Sequence, residues 1–506
     1  MAEGRLARNT ALLYARMVVV LIVSLYTTRL VLANLGVEDY GIYNVVGSVV
    51  SMFYFLQTAI SSANYRYMAY AIGKNDIQLL KTSFKSALVL SVLISIIVIV
   101  LGESLGLLYI YNYLKVPEAR FDAAVITFHI SLLTCVAVTI YMPFYSNVIS
   151  HERMEFFAYL SIVEVFCKLG IAFGIAHAPI DRMVFYAVLL LLMQIMILVA
   201  YTIYCKKKFE ECNYIGETRI DRQLTLKMAS FSGWTLFVAA ADLLVVNGLN
   251  ILINYFFTPV VNAARGIAVQ VQGAVDGFRA NLQTALNPQI TKRYASDNLD
   301  GMFYLMGCSA RFSTYVLLAV SLPIAFNADY ILSLWLKEVP NYTAIFIILT
   351  LTACIIDGIS NPYVTAIGAT GNVKKFQIWV GITKFLSLPL CYLVAVFTKS
   401  PVLIFAAFVA GTVMAVIVRI VICSRAVSMG IYYIWKNIFW PIIIVSVGGL
   451  IAYYLLYRIL APETIVSLGL YVAIGTLVYA SICYFLGLKD TERMKMIGYI
   501  RKFLYK

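Results

Sequence analysis

Charge is what this sequence has least of. Of its 506 residues only 13% are charged, about half the fraction found in a soluble domain that must wet its whole surface. With 62% hydrophobic residues and a mean hydropathy of +0.86, the chain has no polar skin to offer water, so its solvent is lipid. The signatures of common chemistries are missing too. The nine cysteines include no C-x-x-C pair, which argues against a zinc site or a disulfide framework. His129, His151 and His177 have no metal-ligand spacing. There is no G-x-x-x-x-G-K-[ST] loop for ATP and no Ser-His-Asp constellation, so no catalytic residue, metal or cofactor is expected. No apolar h-region followed by a small-residue cleavage site stands apart at the N-terminus, and the first apolar run reads as a retained helix. The net charge of +14 is not gathered into a stripe, as a nucleic-acid surface would require.

What the sequence has in plenty is long apolar runs. A spanning helix needs about 20 such residues. Fourteen runs qualify: 10–33, 41–65, 84–111, 123–149, 156–177, 183–205, 228–254, 258–290, 302–327, 342–367, 374–397, 400–425, 433–457 and 465–487. The fold class is therefore an all-α polytopic membrane protein. With the N-terminus in the cytoplasm, 26 of the 39 Lys and Arg residues fall on the cytoplasmic side, six outside and seven within spans. That asymmetry supports an even number of spans with both termini cytoplasmic.

The longest loop, 206–227, divides the chain into a six-helix half at 1–205 and a second at 228–425. Two further spans lie within 426–487, and 488–506 forms a basic amphipathic tail suited to an anionic inner leaflet. Leu-Gln-Thr-Ala occurs at residues 56–59 and again 226 positions later, late in the second helix of each half. Repeats with an even number of helices keep one orientation, so the halves would relate by an axis along the membrane normal.

Charges inside spans mark interior or cavity faces, because hydrocarbon does not solvate them. The basic ones are Arg16, Arg29, Lys168, Arg265, Arg279, Arg311 and Lys384, and the acidic ones include Glu164, Asp242, Asp276 and Asp357. The eighth span is the most polar. Asn262, Arg265, Gln272, Asp276, Arg279, Gln283 and Asn287 fall within an arc of roughly 100° at helical spacing. Such a stripe lines an aqueous cavity or forms a buried polar seam between helices. The second span carries a milder version, with Tyr40, Asn44, Ser51, Tyr54, Thr58, Ser62 and Tyr65. The substrate-binding candidates are Arg16, Asn44, Arg265, Gln272, Asp276, Arg279, Gln283 and Arg311. Arginines in such a cavity suit a phosphate-bearing substrate, whose oxygens the planar fork matches. Each also has a plainer alternative: Arg279 could pair with Asp276 at i,i+3, Lys168 with Glu164 at i,i+4, and Arg16 could snorkel to an interface. Glu38-Asp39 invites comparison with membrane glycosyltransferases, but "LGVEDYG" reads as a tight helix connection and the chain lacks the large extramembrane loops of those enzymes.

The opening stretch "NTALLYARMVVVLIVSLYTTRLVLANLGVEDYGIYNVVGSVVSMF" resembles the start of polysaccharide-transporter flippases of the O-antigen type. So do "SHERMEFFAYLSIVEVFCKLGIA" and "FFTPVVNAARGIAVQVQGAVDGFRANLQTALNPQITKRYA". This family lies in the superfamily that also holds MATE-type multidrug exporters and lipid II flippases. The resemblance implies two six-helix lobes of MATE-like fold plus two C-terminal helices, alternating access in a bacterial inner membrane, and a cationic cavity. The implied substrate is an undecaprenyl-diphosphate-linked oligosaccharide, moved for O-antigen, capsule or exopolysaccharide synthesis. It further implies cavity-facing Arg16, Arg265 and Arg279, a proton or sodium coupling ion, and a polysaccharide polymerase or glycosyltransferase as possible partners besides the membrane lipids. The competing readings are an ion-coupled MATE-type exporter of drugs or small solutes, which an acidic cavity would favour, and a membrane glycosyltransferase or polymerase.

Overall fold

The computed structural model describes residues 2–113, 117–213, 219–257, 259–336 and 339–494. Among these there are helices and turns and no strand, as the apolar runs predict. Lipid leaves backbone N–H and C=O groups no outside partner, so each segment must satisfy its own. The chain forms α1 (Ala2–Leu35), α2 (Val37–Ser51), α3 (Tyr54–Lys74), α4 (Ile77–Leu101), α5 (Leu107–Tyr113), α6 (Glu118–Ser150), α7 (Met154–Gly174), α8 (Arg182–Lys208) and α9 (Arg222–Phe256). There follow α10 (Pro259–Ala295), α11 (Leu299–Phe326), α12 (Ala328–Trp335), α13 (Thr343–Thr370), α14 (Lys374–Thr398), α15 (Pro401–Ala426), α16 (Ile431–Ile434), α17 (Trp440–Leu460) and α18 (Ile465–Ile482).

Among the described residues, twelve helical stretches are long and apolar enough to cross a membrane. The two expected spans outside that set are the two read as polar. One is α10, whose 37 residues extend about 55 Å but carry the polar stripe. The other is broken by a turn at Met52–Phe53 into α2 and α3. Helix starts follow ordinary capping chemistry. Asp76 accepts from the Leu79 N–H at 2.9 Å, and Asp181 from those of Met183 and Val184 at 3.1 Å. Gly36, between α1 and α2, has φ +84°, a conformation a side chain rarely tolerates.

The chain forms two compact units, Ala7–Ala239 and, with the first six residues, Ala240–Lys506. The boundary falls inside α9, where the sequence suggests the 206–227 loop. That loop is partly docked: Glu211 and Cys212 are buried in the N-terminal unit, where Glu211 accepts from Asn147 at 2.9 Å and bonds the His151 ring at 2.7 Å. Residues 214–218 of the loop and 495–506 of the tail lie outside the described residues.

In the N-terminal unit α6 is central and packs on α2, α3, α4 and α8. Its Phe128, Leu132 and Cys135 meet Val31, Val46 and Val98 in one core. A π-helical turn, Gly102–Gly106, joins α4 to α5. A Cβ at Gly102 would sit 2.6 Å from a Leu132 methyl, so the helices approach closely here and any side chain at this position would make Leu132 shift. Gln57 of the first Leu-Gln-Thr-Ala is buried and donates to the Cys135 carbonyl at 3.1 Å and to Thr139 at 3.0 Å. At the connections, Arg120 pairs with Asp39 at 2.6 Å and with Asp181. Asp39 thus ties helix connections together, as the reading of "LGVEDYG" requires.

In the C-terminal unit α10, α11, α13, α14 and α15 surround a core that includes Val275, Leu317, Phe346 and Phe405, the two phenylalanine rings stacked at 4.0 Å. Gln283 of the second Leu-Gln-Thr-Ala is also buried, and accepts from Arg279 at 3.2 Å. In both copies the glutamine and alanine point inward, which gives the repeat a packing role in each unit. The added helices α17 and α18 interlock through small residues: a Cβ at Gly475 would lie 2.4 Å from Tyr453, and one at Gly449 2.7 Å from Tyr479. Beyond α18 the chain turns back onto α11. Arg311, 1% exposed, donates to Glu492 at 2.5 and 3.1 Å and to the Gly487 carbonyl at 3.1 Å.

A charged cavity in the C-terminal unit

The C-terminal unit encloses a cavity of about 260 Å³ among α9, α10, α13, α14 and α15. Its charged lining residues are Asp242, Asp276, Arg279, Asp357 and Lys384. Each carboxylate has a basic partner. Asp276 takes a bidentate pair of bonds from Arg279, 2.6 and 2.8 Å, one turn away on α10. Asp242 on α9 accepts from Lys384 on α14. Asp357 on α13 accepts from Arg419 on α15 at 2.6 Å, and Ser360 accepts from the same guanidinium nitrogen at 2.9 Å. Cys354 donates to Asp276 at 3.4 Å.

The pairs share one asymmetry. Side-chain exposure is 33% for Asp276 against 13% for Arg279, 50% for Asp242 against 18% for Lys384, and 35% for Asp357 against 7% for Arg419. The acid is the more exposed member of each pair; Arg279 and Lys384 line the cavity beside their acids, and Arg419 lies outside its lining. Helix geometry produces this where the aliphatic stems of Arg and Lys run between packed helices, while a short aspartate ends at the cavity wall. The close approach of α14 and α15 that frames one wall depends on Gly411, where a Cβ would meet that of Ser387 at 2.6 Å.

The residues expected at a site divide. Gln272, Asp276 and Arg279 line this cavity. The rest of the α10 stripe is a seam between helices. Arg265, 5% exposed, donates to Asn250 and, at 3.0 Å, to the Val246 carbonyl, both on α9. Gln283 is buried beside Arg279, and Asn287 accepts from Thr365 at 3.1 Å. Arg311 is in the buried pair with Glu492, away from the cavity lining. In the N-terminal unit Arg16 lies over the Phe157 ring at 4.4 Å, and Asn44, exposed, turns its amide back to the Tyr40 carbonyl at 2.8 Å. The local pairs foreseen at i,i+3 and i,i+4 are present: Arg279–Asp276, and Lys168–Glu164 at 2.7 Å.

Sequence reasoning noted Asp242, Asp357 and Lys384 as charges in spans without making a site of them. Arg419 is not among the seven basic residues placed within spans from the sequence, yet the structure buries it within α15. An intramembrane aspartate on each of α9, α10 and α13 was the available signal; which bases they meet is a matter of tertiary contact.

The MatE family model matches residues 15–174, about a third of the chain. No curated protein matches it in sequence. Solved structures match over most of its length. A mutant MATE transporter superposes with a TM-score of 0.72 at 13% identity, covering 83% of this chain and 96% of that one. A mutant of the Vibrio cholerae MATE transporter VcmN gives 0.70 at 16% identity, covering 85% and 98%. A Pyrococcus furiosus MOP-superfamily transporter, described as having a binding pocket of reverse polarity that suggests a different function, gives 0.68 at 13% identity, covering 83% and 95%. The chain is a multi-pass membrane protein with the fold of the MATE transporters.

Proposed function

We propose that this chain is an ion-coupled exporter of MATE type that takes cationic or hydrogen-bond-donating organic molecules. The observation that carries this reading is the exposure order of the three ion pairs, carboxylate outward and base recessed in each. A cationic guest meets acceptors first. An anionic guest meets carboxylate edges, and the bases beside them are already committed to those carboxylates; bringing an unpaired anion there costs several kcal/mol. The MATE-type reading implies an ion gradient as the energy source. We place the protein in a bacterial inner membrane with both termini cytoplasmic. In cells stripped of their own multidrug exporters, expression of this chain should lower ethidium accumulation, and Asp242→Asn or Asp276→Asn should return it to the level of empty-vector cells. Unchanged accumulation with well-expressed wild-type protein sinks the reading.

A second reading, export of undecaprenyl-diphosphate-linked oligosaccharide, is favoured by one observation. The matched MATE chains are used almost entirely while covering 83–85% of this one. The surplus accords with the two C-terminal helices that the flippase resemblance implies. Under this reading a polysaccharide polymerase or glycosyltransferase would be the partner. Restored polysaccharide export in a strain lacking its own flippase, with no effect on ethidium, would select it.

A further inference from the structure

The three ion pairs around the cavity are not equivalent. Arg279 makes two bonds to Asp276 and a third to Gln283, all on its own helix. Arg419 is held by Asp357 and by Ser360. Both are planar forks fixed by more than one partner. Among the described residues Lys384 makes a single side-chain hydrogen bond, to Asp242, and bridges from α14 to α9 to do so. Asp242 is also the most exposed of the three acids. A carboxylate in a membrane-embedded cavity is neutralised by a proton or by a cation. Here the chain supplies the cation itself. A lysine ammonium is a compact point charge on a flexible stem, with three donors and the charge of a free monovalent ion.

We propose that the Lys384 ammonium is a tethered counter-cation: it occupies at Asp242 the place of a free monovalent cation, and a cationic guest enters by displacing it. The guest clause rests on the exporter reading; the counter-cation clause does not. Of the neighbouring charges, Asp276 keeps Arg279 and Asp357 keeps Arg419, although Lys384 and Arg279 also lie close enough to act on Asp357; withdrawal of Lys384 leaves the cluster one positive charge short, with Asp242 the carboxylate that loses its hydrogen-bonding base. The site at Asp242 then becomes open to an alkali cation.

The test uses the purified full chain in nanodiscs, at alkaline pH, with radiolabelled sodium ion as the probe. The wild type should show no saturable sodium binding. Lys384→Met should show it, Lys384→Arg should not, and adding Asp242→Asn to Lys384→Met should abolish it. Lys384→Gln is measured beside Lys384→Met, so that the result does not hang on one variant remaining monodisperse. Saturable binding by the wild type equal to that of Lys384→Met overturns the proposal, as does its absence in folded Lys384→Met and Lys384→Gln. Ethidium binding to the same samples separates the two clauses. Tightening by about tenfold or more in Lys384→Met supports displacement. Failure of every variant to bind ethidium, with the sodium pattern as expected, removes the exporter reading and leaves the counter-cation in place.

Discussion

At the scale of single residues, the most exacting position outside the cavity is Arg311. It enters α11 in a sequence context that could equally face water, and the structure answers its charge with Glu492 from beyond the last helix. Removing one partner of a buried pair costs about 3–5 kcal/mol, because the remaining charge is left without compensation. We expect Arg311→Ala to lower the thermal unfolding midpoint of the purified protein far more than the double replacement Arg311→Met/Glu492→Leu. Equal loss in both would show that the pair contributes through packing alone. The pair also sets a pH limit. Burial alone would raise the Glu492 carboxyl, but the hydrogen bond and charge of Arg311 outweigh it and hold the group below its ordinary value of 4.5. A carboxyl depressed in the folded state stabilises above its unfolded pKa and loses that contribution as pH falls through the folded value. Wild-type stability should therefore be steady near neutrality and fall below about pH 4.5, and Glu492→Gln should flatten that acid limb.

At the scale of elements, α10 carries two environments on one polar stripe. Its middle turns face the cavity and its ends are sealed against α9 and α13. The 3.6-residue period put these residues on one side of the helix, but period does not say what lies opposite. Single cysteines at Gln272 and Asp276, in a background without native cysteines, should react with a small hydrophilic thiol reagent. A cysteine at Val275, 2% exposed in the core, should react at least about tenfold more slowly, since its access requires local opening. Comparable rates at all three positions would mean that the cavity does not hold water. The aspartates of α9 and α13 illustrate the other half of the problem. Their helices read as ordinary apolar spans, and their partners Lys384 and Arg419 lie more than 60 residues away in the chain.

At the scale of the whole molecule, the distribution of Lys and Arg argues for an even number of crossings and cytoplasmic termini. Reporter fusions after Tyr204 and after Gly487 should both report cytoplasm. A periplasmic signal from the second would require an odd number of spans. Among the described residues apolarity marks twelve crossings; the two expected spans outside that set are the polar stretches, α10 and the broken α2–α3 pair. The helices least suited to lipid are thus the ones that periodicity had marked for an interior face.

The sequence by itself determined that this protein is helical and lies in a membrane, because hydrophobicity and backbone satisfaction are local properties that every segment must meet alone. It also offered the i,i+3 and i,i+4 ion pairs as alternatives to a cavity role, because helix geometry allows them without reference to any other element. Only the tertiary structure decided which charges share a cavity and which side of each pair is presented to it. Asp242 and Lys384, Asp357 and Arg419, and Arg311 and Glu492 meet through the packing of helices distant in sequence, and no local pattern encodes such a meeting. The expected cationic cavity rested on counting arginines along spans. The structure pairs each base that reaches the cavity of the C-terminal unit with a carboxylate more exposed than itself, because a membrane interior tolerates a charge only when the fold brings it a partner.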